Sequence, residues 1–401
     1  MTTQDADGVE GPSIVRACGR RDALRVAGGG LILASAAGCG AWSMPRSAVS
    51  AWEGPAADVD PRRRALAYAL LAPSAHNRQP WLVDLSQPSR ILLFVDTERL
   101  LPETDPYGRQ IVISHGTFLE VLVLALRREG LVADVELFPE GELRDVRDDR
   151  PVARVTLVPG PPEEDPLFRF VMDRRTHRLP FDTSRGVARE TVEAIVARVS
   201  SPAVQVGATT DAALRDSLRE LTKRAWEAEV ETPRTALESI RLTRIGASEI
   251  AAHRDGIFVV GFTPWLISTL GLASEKSMVD PGSTGHHVML ELGRSQSRTA
   301  MGFVWFSTKG NRRADQIATG RAYVRAHLHA TSLGLAWHPM TQALEEFAEM
   351  RDVRRATFAA LGVPDPDAPD ASTIQLLARV GYAEAGLHSP RRPLREIVRG
   401  G

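Results

Sequence analysis

Cysteine is nearly missing from this chain: 401 residues contain two, Cys18 and Cys39, both close to the N-terminus. So few thiols exclude a disulfide framework and a thiolate metal site, and leave stability to packing. An excess of one charge sign is missing too. Forty-nine basic residues against fifty acidic ones give a formal net charge of −1, which offers no basis for nucleic acid as a partner. There is no G-x-S-x-G elbow, and Ser114, His115 and His177 lack an acidic residue at a telling spacing. That argues against a hydrolase built on a side-chain nucleophile. The N-terminal apolar run, Val26–Ala37, falls short of the roughly 20 residues that span a bilayer.

What is present is ordinary for a folded protein: 43% hydrophobic and 25% charged residues. The length exceeds the usual range of about 100 to 200 residues for one domain, so two domains or two halves of one domain are expected. The first 39 residues read as an export signal. Arg20-Arg21 stand ahead of Leu24 and a weakly apolar, glycine-containing run, which resembles a twin-arginine signal. The run ends at Ala36-Ala37-Gly38-Cys39, a lipoprotein-like ending in which Cys39 would carry the lipid and tether the chain to a membrane. Cleavage near Ala41 with loss of Cys39 is the alternative. Gly28-Gly29-Gly30 belongs to the signal and is no phosphate loop, because no strand precedes it. Residues 40–59, rich in Ala, Ser, Gly and Pro without period, read as a flexible tether.

Order is expected from Asp60-Pro61, a side-chain cap followed by proline in the first turn of a helix that Pro73 stops. WLVDL (81–85) and ILLFV (91–95) read as neighbouring strands, and 132–138 and 153–158 as two more. The stretch GTFLEVLVLALRREGL (116–131) aligns with GRAYVRAHLHATSLGL (320–335): glycine opens both, helical periodicity follows, and Gly-Leu closes both. Strands accompany the second copy at 300–308 and 372–382. The chain therefore reads as two unequal repeats, 60–160 and 161–401. Helices are expected at 187–200, 211–230 and 235–254, and an irregular insertion at 255–299, long enough for a functional loop. Helices and strands without a regular strand–helix–strand rhythm favour an α+β fold.

Three polar stretches stand out. APSAHNRQPW (72–81) packs Ser74, His76, Asn77, Arg78 and Gln79 between two prolines. DRRTHRLPF (173–181) holds Arg174, Arg175, Thr176 and Arg178, a donor set matched to a phosphate monoester because guanidinium forks bind its oxygens in pairs. SPRRPL (389–394) fixes Arg391 and Arg392 between prolines. His327 and His329 lie two apart on a helix and face different sides, which disfavours a metal site.

Together with GRAYVRAHLHATSLGL and the ending ARVGYAEAGLHSPRRPLREIV, these stretches resemble the nitroreductase superfamily of flavin proteins, most closely its double-repeat, Acg-type branch. The resemblance implies an α+β nitroreductase fold in which the repeats form an intramolecular pseudo-dimer, so that a monomer is plausible. It also implies flavin mononucleotide (FMN) held at one composite site: Ser74, Asn77 and Gln79 from the first half, Arg174, Arg175, Thr176, Arg178, Arg391 and Arg392 from the second. The second half has VSSPAVQVG where its own copy of the loop would stand, so its counterpart site is degenerate. The flavin N5 would face the backbone of Met340 or Thr341, since Pro339 has no amide hydrogen. Implied activity is two-electron reduction of a small-molecule acceptor, a nitroaromatic or quinone-like compound, fed by NAD(P)H or another donor. The alternative is a non-catalytic flavin-sequestering protein with 255–299 as a lid. Export implies the cell envelope; without use of the signal the protein stays in the cytoplasm.

Overall fold

A computed structural model of the chain describes residues 40–57, 60–271, 273–363 and 372–399. The stretch read as an export signal, with Cys39, lies outside these residues. The first half opens as its capping chemistry predicts: the Asp60 carboxylate accepts from the Arg62 amide at 2.9 Å, and Pro61 starts the helix Pro61–Ala69. Strands β1 (Trp81–Asp84), β2 (Arg90–Val95), β3 (Leu131–Leu137) and β4 (Ala153–Pro159) form an antiparallel sheet in the order β1-β2-β4-β3. Next come β5 (Gln205–Thr209), β6 (Thr243–Ile245), β7 (Ile257–Val259), β8 (Gly302–Thr308), β9 (Ala336–Pro339) and β10 (Thr373–Gly381). Of these, β5, β8, β10 and β9 build a second antiparallel sheet in that order. Counting only the strands of each sheet, both run first, second, fourth, third, the same topology twice, with β6 and β7 paired apart as a two-stranded parallel sheet. The α+β fold with two repeats is the architecture observed.

Two helices of 20 residues, Arg109–Arg128 and Arg313–Ser332, cross at the centre. The aligned glycines meet there. A Cβ on Gly116 would lie 2.3 Å from the Ile317 carbonyl oxygen, and one on Gly320 would lie 2.0 Å from that of Ile113. Their reciprocal contacts mark the pseudo-twofold point. The sequence reading took these glycines as helix openers; they sit mid-helix instead, because only a residue without a side chain lets two backbones touch. The closing glycines, Gly130 and Gly334, both have the left-handed φ of a helix-ending glycine, 76° and 70°. One core, containing Leu66, Trp81, Phe118 and Leu122, includes Ile317, Val324 and Leu328 from the opposite half. The halves are welded through this crossing.

Two segments read from composition as loose are ordered by packing. Residues 40–57 are not a tether. Trp52 is buried, donates from its indole nitrogen to the Ser389 carbonyl at 2.9 Å, and stacks on His388 with ring centroids 4.3 Å apart. The Ala48 carbonyl accepts from the Arg391 amide at 2.9 Å. Small residues pack close there, which composition counts as flexibility. Nor is 255–299 irregular: it contains β7 and the helices Phe262–Thr269, Glu275–Val279 and Thr284–Arg298. The last of these packs on the helix Ala212–Glu231, where the Trp226 indole donates to the Met289 carbonyl at 2.8 Å.

The C-terminal strap joins the halves a second time. It leaves β10 in the second sheet and ends on the first, where the Val83 amide donates to Ile397 at 2.7 Å and the Arg399 amide to Val83 at 2.8 Å.

Candidate functional site

A cavity of about 150 Å³ opens between the halves. The first half contributes the turn after Pro73 and one face of the Arg109–Arg128 helix, with Gln110, Ile113, Ser114 and Thr117. The second contributes Thr176, Arg178, Tyr323, His338, Thr341 and Arg391.

The turn 74–79 is held in an unusual shape. His76, Asn77 and Gln79 all have positive φ, 46°, 53° and 50°, a conformation disfavoured for residues with a Cβ. Partly buried hydrogen bonds offset that strain. Ser74 Oγ accepts from the Gln79 amide at 2.9 Å, the Ala75 amide donates to Ser114 Oγ at 3.1 Å, and Thr117 donates to the Pro73 carbonyl at 2.6 Å. Ser114, considered first as a nucleophile, is a turn support.

Three guanidinium groups cluster at one end, where Arg178 and Arg391 line the cavity and Arg174 lies near Arg391 without lining it. Arg174 is buried and donates through Nη2 to the Leu71 carbonyl at 2.7 Å, while its Nη1 has no partner. Arg391 donates to Asn77 Oδ1 at 2.9 Å, Ser389 Oγ at 2.7 Å and the Leu71 carbonyl at 3.0 Å, and its Nε is unpartnered. Arg178 faces the cavity. Burial lowers Arg174 and Arg178 to about 10; it also lowers Arg391 well below the usual range, reinforced by the charges of Arg174 and Arg178. No carboxylate pairs with any of the three among the described residues. Buried like charges with free donors are costly unless an anion neutralises them.

Other expected residues are placed differently. Gln79 is fully buried outside the cavity, where its Oε1 accepts from the Arg392 amide at 2.8 Å and its Nε2 donates to the Arg254 carbonyl at 2.9 Å. Arg392 is paired with Asp96 at 3.1 Å, so its charge is already answered. Arg175 turns back to the Asp173 carbonyl at 2.6 Å. Asn77 does reach the cavity, yet its amide is engaged with Arg391 and the Pro390 carbonyl. Asn77 and Gln79 thus position the arginines, while Arg175 and Arg392 each keep one Nε donor without a partner. Met340 is likewise corrected: its amide donates to the Leu377 carbonyl at 2.8 Å. Thr341 opens a 3-10 turn, Thr341–Leu344, whose first amides have no acceptor within the turn.

Residues that motif reading overlooked hold the arrangement. Arg379 of β10, fully buried, donates to the carbonyls of Gln296 at 2.7 Å and Leu179 at 2.8 Å and to His338 Nδ1 at 3.1 Å. It fixes the turn that carries Arg178. Arg109 spans the halves, reaching Gln375 O at 2.6 Å, Leu344 O at 2.7 Å and Glu346 at 3.1 Å. Past Thr341 the wall is acidic: Glu345 is buried with Oε2 unpartnered. In the second crossing helix, the positions aligned with Ser114 and Thr117 are Ala318 and Arg321, and Arg321 is ion-paired with Glu120 at 2.7 Å.

No protein-family model matches the sequence. Two curated proteins of Mycobacterium tuberculosis, each called "Putative NAD(P)H nitroreductase", are 29% identical to this chain. One aligns over 373 residues, 86% of this chain and 95% of its own length; the other, called acg, over 359 residues, 84% and 95%. A third, an "Uncharacterized protein" of the same organism, is 26% identical over 360 residues, 84% of this chain and 92% of its own. A crystal structure of the FMN-dependent nitroreductase NfnB from Mycobacterium smegmatis in complex with NADPH aligns with 58% of this chain and 96% of its own, at 18% identity and a TM-score of 0.34. The similarity to these relatives covers 84 to 86% of the chain and so extends into both halves.

Proposed function

We propose that the protein is an oxidoreductase of the nitroreductase type that binds one FMN per chain at the composite cavity and reduces a nitroaromatic or quinone-like acceptor by two electrons, with NAD(P)H as donor. The observation that carries this reading is the convergence of Arg174, Arg178 and Arg391 without a carboxylate, with free donors at Arg174 Nη1 and Arg391 Nε. That donor set fits a phosphate dianion. The names of the M. tuberculosis relatives support the activity class.

FMN, when bound, supplies the two-electron chemistry, and the protein supplies binding and orientation. Arg174, Arg178 and Arg391 would hold its phosphate. Thr341 would present a backbone amide to its reactive ring, and Ile257 and Phe258 would exclude water from the same space. At about 150 Å³ the cavity is smaller than the roughly 300 to 1,000 Å³ of common ligand sites. Ile257, Phe258 and Leu292 of the 255–299 segment form one wall over it. That same wall favours a second reading, a flavin-sequestering protein closed by its lid. Arg321 and Glu120 fill the counterpart position with an ion pair, which supports one site and not two.

The deciding experiment is an FMN titration followed by visible absorbance, with anaerobic addition of NADPH to the complex. One flavin per chain, bleached by NADPH, is the expected result; flavin that binds but is not bleached supports sequestration, and no binding refutes both. The same proposal takes the chain out of the cytoplasm as a monomer on the Arg20-Arg21 signal, with Cys39 lipidated. The mass of the mature N-terminus tests it.

A further inference from the structure

Beyond the arginines, the cavity is lined by one buried carboxyl group, with a second behind it on a neighbouring helix, neither used in binding a flavin. Glu345 is 2% exposed and lines the cavity; Glu229, on the neighbouring helix Ala212–Glu231, is 1% exposed. Each has an Oε2 without a hydrogen-bond partner. Among the described residues neither has an arginine or lysine partner: Arg109, on the crossing helix, is committed to Glu346 at 3.1 Å, and His76 Nε2 stands 4.0 Å from Glu229 Oε1. A carboxylate buried under these conditions is strongly disfavoured against its protonated form. The charged groups around the pair push the same way, with Glu238 beside Glu229, and both Glu229 and Asp105 beside Glu345; Arg109 gives only partial relief. Burial accordingly raises Glu229 to about 7 and Glu345 well above the carboxylate range.

Hydrogen bonds connect Glu345 to the reactive end of the cavity and Glu229 to its rim. Glu345 Oε1 lies 3.5 Å from Gln110 Nε2, and Gln110 Oε1 accepts from Thr341 Oγ1 at 3.1 Å. Ser239 Oγ lies 2.7 Å from Glu229 Oε1 and 3.1 Å from His76 Nε2. His76 is kept neutral, lowered to about 4 by burial and then by the charges of Arg178 and Arg78, so its Nε2 can either donate or accept in this chain.

We infer that Glu345 is the general acid of the reaction, delivering a proton to the acceptor in the cavity at the end where Gln110 and Thr341 stand, while Glu229, Ser239 and His76 form a separate hydrogen-bonded chain at the rim. This rests on the proposed flavin function. Reduction of a quinone adds two electrons and two protons. Two electrons and one proton reach the acceptor as hydride from the reduced flavin, which is oxidised. The second proton comes from Glu345: its O–H bond breaks, an O–H bond forms on the acceptor, and the carboxylate left behind takes a proton from water. Flavin reduction by NADPH is a hydride transfer that requires no proton from the protein, so only the second half of the cycle depends on Glu345.

The test compares the full chain with Glu345→Gln, Glu345→Asp and Glu229→Gln. In the flavin-loaded protein, Glu345→Gln should slow reoxidation by a naphthoquinone on the order of 100-fold, with bleaching by NADPH as the internal reference. Glu345→Asp, which keeps a carboxylic acid, should recover part of that loss. Independently of turnover, infrared spectra of the flavin-free protein at neutral pH should show the carbonyl stretch of a protonated carboxylic acid that Glu345→Gln removes. Absence of that band overturns the inference, and so does an unchanged reoxidation rate in a protein that binds and reduces flavin. A wild-type chain that binds no FMN refutes the proposed function together with the inference.

Discussion

Replacing Gly320 with alanine tests the central claim about how the two repeats are joined. An added Cβ would stand 2.0 Å from the Ile113 carbonyl oxygen, 2.8 Å from Gly116 Cα and 2.8 Å from the Thr117 amide nitrogen. All three obstacles are backbone, so no side chain can rotate away, and the helices must move apart. Overpacking of this kind costs about 1 to 3 kcal/mol, and rigid neighbours put it at the upper end. Alanine also gains roughly 1 kcal/mol of helix propensity over glycine, leaving a net loss of about 2 kcal/mol. Urea denaturation should show it as a lower midpoint with an unchanged slope, and heating as a Tm lower by roughly 4 °C. FMN affinity should fall with it, because the crossing sets Ile113, Ser114 and Thr117 of one helix across the cavity from Tyr323 of the other. Gly116→Ala meets the Ile317 carbonyl at 2.3 Å and should behave alike. A variant as stable as the wild type, or more so, would refute the crossing as described.

Further expectations concern the site and its supports. Arg178→Ala or Arg391→Ala should weaken FMN binding by roughly 1.5 to 3 kcal/mol, the worth of a charge-assisted contact, whereas Arg175→Ala, whose guanidinium is directed to the Asp173 carbonyl, should cost less; calorimetric titration distinguishes them. Trp52→Ala should destabilise the fold by about 3 kcal/mol or more and loosen the strap through His388 and Ser389, visible as faster proteolysis near residue 389. Glu229, raised to about 7 from 4.5 by burial, holds its proton more tightly in the folded chain. Its contribution to stability is complete below pH 4.5 and is lost as pH rises through 7. Glu229→Gln should therefore gain stability relative to the wild type between pH 5 and pH 8 in parallel thermal melts, and a pH-independent difference would contradict a buried, protonated Glu229.

Much of this protein is legible in its sequence because the signals are local. The Asp60-Pro61 cap, the alternating strands and the glycines closing both long helices each depend on residues a few positions apart. The repeat is legible as well, since two helices that meet as equals need glycine at the same place. Long-range contacts decided the rest. Whether an arginine of 174–178 or 391–392 is free depends on what folds beside it: Asp96 answers Arg392, the Asp173 carbonyl answers Arg175, and Arg174, Arg178 and Arg391 are left to one another. Asn77 and Gln79 carry the same hydrogen-bonding group, yet one reaches the cavity rim and the other is sealed beneath it. Residues 40–57 look like linker until Trp52 finds His388, more than three hundred positions away. Glu345 has no motif at all. Its character comes from burial beside Glu229, brought near it within the second half by the fold, and beside Asp105, Arg109 and Gln110 from the first half.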